Sequence, residues 1–213
     1  MCGICGFTGS ADKQTLNNMT ETIRHRGPDE NGFYSDNEVS LGMRRLSIID
    51  LESGQQPVHN EQGNVWLVFN GEIYNFVSLR EQLISKGHRF YTDHSDTETI
   101  VHLYEEYGLN FVEHLNGMFA IAIWDQRTQT LLLVRDRMGV KPLFYCEING
   151  NLIFASEIKS ILAYPGYHKE MNPEAIYHYF SFKNIPAPLT AFKGIHSVFP
   201  GEIITWQQGR IKK

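Results

Sequence analysis

Leu143-Phe144-Tyr145-Cys146-Glu147-Ile148-Asn149-Gly150-Asn151-Leu152-Ile153-Phe154-Ala155 holds two β-rich runs joined by a tight polar turn. That arrangement favours an antiparallel hairpin. Runs of the same kind recur at residues 39–46, 65–69, 119–124, 131–134 and 202–206. Helical periodicity separates them. It appears at Leu16, Met19 and Ile23, and again at Leu79, Leu83 and Ile84, where Gly87 closes the helix as a C-terminal cap. A third helix opens at Ser95, with Glu98 completing a capping box, and carries Ile100, Val101 and Tyr104 up to Gly108. A fourth runs from Pro173 to Phe182, with proline in its permitted first turn. Helices clustered between hairpins predict an α+β domain whose antiparallel sheets are covered by helices.

The 213 residues are 42% hydrophobic, enough to bury a core as one domain. No internal repeat or low-complexity tract interrupts them, and Pro186-Ala187-Pro188 reads as a loop. A net charge of -5 argues against nucleic acid or an anionic membrane as partner. The longest apolar stretch, 119–124, is too short to span a bilayer. No basic segment leads into an apolar core at the start, so no signal peptide is expected. Three cysteines do not make a disulfide framework, which leaves a cytoplasmic enzyme as the expectation.

Cys2 is the candidate nucleophile. If Met1 is removed, one residue carries both a thiol and a free α-amine. A thiol attacks as thiolate, and an α-amine titrating at about 7.7–8.0 can take its proton near neutral pH. The bland alternative is a small buried hydrophobe on a first strand. Cys2 and Cys5 also form a C-x-x-C, but no second pair supports zinc or redox chemistry. Cys5 and Cys146 read as core. The nine histidines form no metal signature such as H-E-x-x-H, and no metal site is expected.

Asn70-Gly71 follows an alternating run, the usual signal for a two-residue hairpin turn. Residues 72–76 make a poor return strand, however, because they lead straight into the 79–84 helix. Arg45 reads from composition as a solvated cation, Glu72 as a surface acid, and Asp96 as an acid favoured by the helix dipole.

Cys2-Gly3-Ile4, Arg26-Gly27-Pro28-Asp29, Arg45-Leu46-Ser47-Ile48-Ile49-Asp50, Asn70-Gly71-Glu72-Ile73-Tyr74-Asn75 and Ser95-Asp96-Thr97-Glu98 occur in this order. Arg135-Asp136-Arg137, running into Gly139-Val140-Lys141-Pro142-Leu143, and Phe154-Ala155-Ser156-Glu157 complete the series. In register they resemble the glutaminase domain of glutamine-hydrolysing asparagine synthetases, a branch of the class II glutamine amidotransferases. The resemblance covers essentially the whole chain, 1–213.

The resemblance implies a four-layer αββα sandwich with two antiparallel sheets, the N-terminal nucleophile hydrolase fold. It implies that glutamine is hydrolysed to glutamate and ammonia through a thioester on Cys2. Asn70 and Gly71 would supply an oxyanion hole. Arg45 would grip the substrate α-carboxylate, with Arg44 as the rival candidate, because the planar guanidinium matches a carboxylate bidentately. Glu72 and Asp96 would hold the α-ammonium, and backbone groups near Leu46 and Ile48 would complete the pocket. Arg135-Asp136-Arg137 and Lys141 are read as a structural ion-pair turn.

Asparagine synthetases of this kind carry a C-terminal ATP-dependent synthetase domain with a Ser-Gly-Gly-x-Asp-Ser loop, and no such sequence occurs in this chain. The chain is therefore expected to be the ammonia-supplying half of a longer protein. No cofactor is expected in this domain, with ATP and Mg implied for the synthetase domain. The expected partners are glutamine and that domain, with a homodimer left open. Two rivals remain: the amidotransferase half of an enzyme with a different acceptor, and a non-catalytic glutamine-binding module.

Overall fold

Asn149 (φ 53°) and Gly150 (φ 81°) form the turn that the opening stretch predicts, and Ile148 pairs with Asn151 across it. Both central residues lie in the left-handed region, as a two-residue turn matching the strand twist requires. A computed structural model describes residues 2–46 and 54–213 of the chain.

Twelve strands among the described residues form two antiparallel sheets. One orders β10 (Ile195–Ser197), β8 (Phe144–Ile148), β9 (Asn151–Ala155), β1 (Gly3–Thr8), β3 (Val39–Arg45) and β2 (Glu30–Ser35). The other orders β12 (Arg210–Lys212), β11 (Ile203–Gln207), β7 (Thr130–Arg135), β6 (Gly117–Asp125), β5 (Val65–Ile73) and β4 (Val58–His59). The helices are α1 (Lys13–Thr22), α2 (Phe76–Ser85), α3 (Asp96–Tyr107), α4 (Phe111–His114), α5 (Ile158–Ile161) and α6 (Pro173–Phe182).

Period-two alternation sorts the strand side chains into three cores. Along β6, Ala120, Ala122 and Trp124 join Ile4, Leu41, Val68 and Phe154 between the sheets. Phe119, Ile121 and Ile123 on the same strand join Leu83, Ile100 and Leu103 of α2 and α3. On the far side, Cys5, Phe7 and Ile153 pack with Leu16 and Met19 of α1 and Ile161 of α5. Helix, sheet, sheet, helix is the expected four-layer sandwich. Cys5 and Cys146 are core residues, as expected, and burial pushes their thiols up to about 11 and about 12. No helix among the described residues is long and apolar enough to cross a membrane.

Three local readings change. β5 does not stop at Phe69: Asn70 and Gly71 continue it to Ile73, paired with β6 throughout, so the Asn-Gly step is strand and not turn. Only half of the capping box at Ser95 forms. Ser95 Oγ accepts the Glu98 N–H at 3.4 Å, while the Glu98 carboxylate accepts the N–H groups of Tyr91 and Thr92, each at 2.8 Å.

Among the described residues no salt bridge joins Arg135, Asp136, Arg137 and Lys141, and the turn expected to be built on ion pairs is held by backbone contacts. The Asp136 carboxylate accepts backbone N–H groups of Phe119, Met138, Val140 and Lys141 at 2.9–3.2 Å. The Arg135 guanidinium donates to the carbonyls of Gly139, Lys141 and Val198. Each charge satisfies backbone groups that the irregular turn would otherwise strand.

Candidate active site

Where the open ends of the two sheets meet the start of α3, a cleft of about 190 Å³ is lined by Cys2, Arg45, Leu46, Asn70, Gly71, Glu72 and Asp96. These are the sequence-predicted site residues, except Ile48, which lies outside the described residues, as does Met1.

The β1–β3 register pairs Gly3 with Arg44, which brings Cys2 alongside Arg45 at the rim. Arg26 Nε donates to the Cys2 carbonyl at 2.9 Å, and Arg26 Nη1 pairs with Glu157 Oε1 at 3.0 Å. The Cys2 backbone is thus tied down. Its half-buried thiol faces the cleft, 3.8 Å from the Leu46 carbonyl.

Asn70 is 1% exposed, and among the described residues its Nδ2 has no hydrogen-bond partner. A buried amide nitrogen left unsatisfied costs about 1–3 kcal/mol, which an incoming acceptor would relieve. Gly71 sits where β5 and β6 approach closely: a Cβ there would lie 2.2 Å from the Met118 carbonyl oxygen. Only glycine leaves β5 straight and so keeps Asn70 aimed into the cleft.

Arg45 is buried, and its Nη1 pairs with Glu30 Oε2 at 2.8 Å, a contact set by the β2–β3 register that places Glu30 opposite Arg45. Asp96, which lines the same cleft, occupies the first turn of α3. Its Oδ2 accepts the Ile73 N–H at 3.1 Å and its Oδ1 the Thr97 hydroxyl at 3.3 Å. Burial, reinforced by the charge of Glu72, raises the Asp96 carboxyl to about 6 despite those bonds. One cleft therefore holds a thiol, an unsatisfied amide donor, two cations, Arg45 and Lys141, and two acids, the mixed polarity a zwitterionic amino acid requires.

Sequence reasoning missed three contributors. Gln56 accepts the Phe69 N–H at 2.7 Å and reaches Thr97 Oγ1 at 3.4 Å, linking β5 to the start of α3. The turn held by Asp136 and Arg135 delivers Lys141, 6% exposed, into the cleft wall. Arg26 was visible as part of a motif, but its reach to Cys2 spans 24 residues and no local pattern encodes it.

A family model described as the glutamine amidotransferase domain matches residues 1–213. The chain is 42% identical over 212 residues to asparagine synthetase [glutamine-hydrolyzing] 1 of Bacillus subtilis, covering 95% of this chain and 33% of that protein. It is 46% identical over 179 residues to the second such synthetase of that organism, covering 81% of this chain and 24% of the relative. The chain thus spans a third or less of the length of these relatives. Glutamine phosphoribosylpyrophosphate amidotransferase from B. subtilis superposes with a TM-score of 0.71 at 19% identity, over 99% of this chain and 48% of that one. That likeness is one of fold, the N-terminal nucleophile hydrolase sandwich. Whole-chain family match, fold and cleft agree: the chain belongs to the class II glutamine amidotransferase domain family.

Proposed function

We propose that this domain releases ammonia from glutamine at Cys2 and delivers it, within a glutamine-hydrolysing asparagine synthetase, to a C-terminal synthetase domain. The observation that carries the chemistry is the unsatisfied Asn70 Nδ2 in the same cleft as the Cys2 thiol. Glutamine binds with its α-carboxylate on Arg45 and its α-ammonium on Asp96 and Glu72, and backbone groups near Leu46 complete the pocket.

With Met1 removed, the α-amine takes the thiol proton and the thiolate attacks the carboxamide carbon. Asn70 Nδ2 and the Gly71 N–H hold the oxyanion, an effect worth several kcal/mol for fixed donors. The C–N bond breaks, and the leaving nitrogen takes the proton from the α-ammonium and departs as ammonia. Water, giving its proton to the amine, then hydrolyses the γ-glutamyl thioester to glutamate and regenerates the thiol.

ATP and Mg belong to the synthetase domain in this reading, and the whole enzyme works in the cytoplasm. α6 supports a docked second domain: of its side chains only Ala175 is buried, whereas Tyr177, Tyr179, Phe180 and Phe182 are 51–79% exposed. The test is glutamate release from glutamine by chain whose mass shows that it begins at Cys2, beside Cys2→Ala and a Met1-retaining sample. Turnover lost in both variants supports the reading. Turnover surviving in Cys2→Ala refutes the nucleophile, and glutamine binding without turnover in the processed chain favours a non-catalytic binding module.

A further inference from the structure

A second cluster of chemistry-bearing side chains lies outside the cleft, on the helix-covered face of the second sheet. Glu61 comes from the turn between β4 and β5, His88 from just beyond α2, and His102 and Glu105 from α3. One ligand atom from each lies within 4.8 Å of all the others. His102 Nδ1 stands 3.6 Å from Glu61 Oε2 and 3.2 Å from Glu105 Oε2. His88 Nδ1 stands 3.8 Å from Glu61 Oε1 and 4.0 Å from Glu105 Oε2. The edge of a tetrahedron with bonds of the zinc–nitrogen and zinc–oxygen lengths is about 3.3–3.6 Å. Small side-chain movements would bring the four atoms to that spacing.

The surroundings carry a second, independent mark. A metal-bound imidazole usually donates its remote nitrogen to a carboxylate, which fixes ring and tautomer. Both rings have that arrangement: His102 Nε2 faces Glu98 Oε1 at 3.5 Å, and His88 Nε2 faces Glu106 Oε2 at 3.5 Å. The inner carboxylates are oriented in turn. Glu61 Oε1 accepts the Arg89 N–H at 2.9 Å, and Glu105 Oε1 accepts from Asn60 Nδ2 at 2.6 Å.

Local structure explains how His88 arrives there. α2 ends with Gly87 at φ 101°, the Gly87 N–H on the Ile84 carbonyl and the His88 N–H on the Leu83 carbonyl, which turns the next residue back over the helix end. Against four carboxylates stand the two imidazoles and Lys86, which pairs with Glu106. His102 is fully buried while Glu61 is a quarter exposed, so the cluster opens to solvent on one side.

We propose that Glu61, His88, His102 and Glu105 form a binding site for a divalent transition-metal ion, with two nitrogen and two oxygen donors suited to tetrahedral Zn²⁺. With all four positions filled by protein, the site is structural. It pins the β4–β5 turn and the end of α2 to α3, the helix whose first residue is Asp96.

The experiment strips the full chain with a chelator, then titrates it with ZnCl₂ by calorimetry, with Co²⁺ as a spectroscopic probe of geometry. The expected result is one Zn²⁺ per chain, the intense visible bands of tetrahedral Co²⁺, and a Tm raised by roughly 5–10 °C at hundredfold excess over Kd. His88→Gln and Glu61→Gln, both at the accessible side, should remain folded by circular dichroism and weaken binding at least about tenfold. Cys2→Ala should bind as before. No stoichiometric Zn²⁺ binding by the folded chain overturns the proposal. So does binding that survives both cluster variants, or binding that disappears in Cys2→Ala.

Discussion

The Asp96 carboxylate accepts the backbone N–H of Ile73 at 3.1 Å, so the first residue of α3 is fastened to the last residue of β5. That bond joins the strand bearing Asn70, Gly71 and Glu72 to Asp96, which lines the cleft together with Arg45. The groups proposed to bind glutamine and to hold the oxyanion thereby share one frame.

Asp96 should make glutamine binding pH-dependent. Its carboxyl is raised to about 6 by burial and by Glu72, and an α-ammonium needs it ionised. Glutamine affinity should therefore fall by about tenfold per pH unit below 6, read by calorimetry at several pH values. In the ligand-free domain the folded chain keeps this proton at pH values where the unfolded chain has released it. The contribution to stability thus falls as pH rises from about 4 to about 6 and is flat above. Asp96→Asn should remove both dependences, raising Tm at pH 7 while abolishing tight glutamine binding.

Asn70→Ala should lower kcat for glutamine hydrolysis by about 10²–10³ with KM within a few-fold. The lost donor acts on charge that develops only during reaction. Steady-state kinetics checks this, and a variant with unchanged kcat would remove Asn70 from the oxyanion hole.

Gly71→Ala places a methyl against the Met118 carbonyl at 2.2 Å, where backbone must move. A destabilisation of about 1–3 kcal/mol is expected by denaturant titration, together with a loss of kcat, because Asn70 is carried on the displaced strand.

Arg45→Lys keeps the charge and loses the planar fork. KM for glutamine should rise about tenfold or more at nearly constant kcat, since the carboxylate contact is the same in ground and transition states. Glu30→Gln, which weakens the ion pair that orients the guanidinium, should move KM in the same direction by a smaller factor.

Much of this was legible in the chain. Alternation in residues 119–124 and 131–134, the Asn149-Gly150 turn and the helical spacing of Leu79 and Leu83 act between near neighbours, so residue order reveals them. The ordered motifs likewise marked Cys2, Arg45, Asn70, Gly71, Glu72 and Asp96, and the cleft contains all six. Asn70-Gly71 shows where local reading fails. The dipeptide favours a turn, but close pairing with β6 inside the sheet turns it into strand, and the same closeness explains the glycine.

What the sequence by itself determined is the inventory of chemistry and its periodic setting: which residues alternate, where helices end, and which side chains bear charge or a thiol. These follow from dihedral preferences and side-chain spacing, which are local. Only the tertiary structure decided that Arg26 holds the Cys2 carbonyl, that Gln56 and Lys141 enter the cleft wall, and that Glu61, His88, His102 and Glu105 converge. Each depends on strand register and helix packing across tens of residues, where the energy lies in burial and geometry that no short motif can encode.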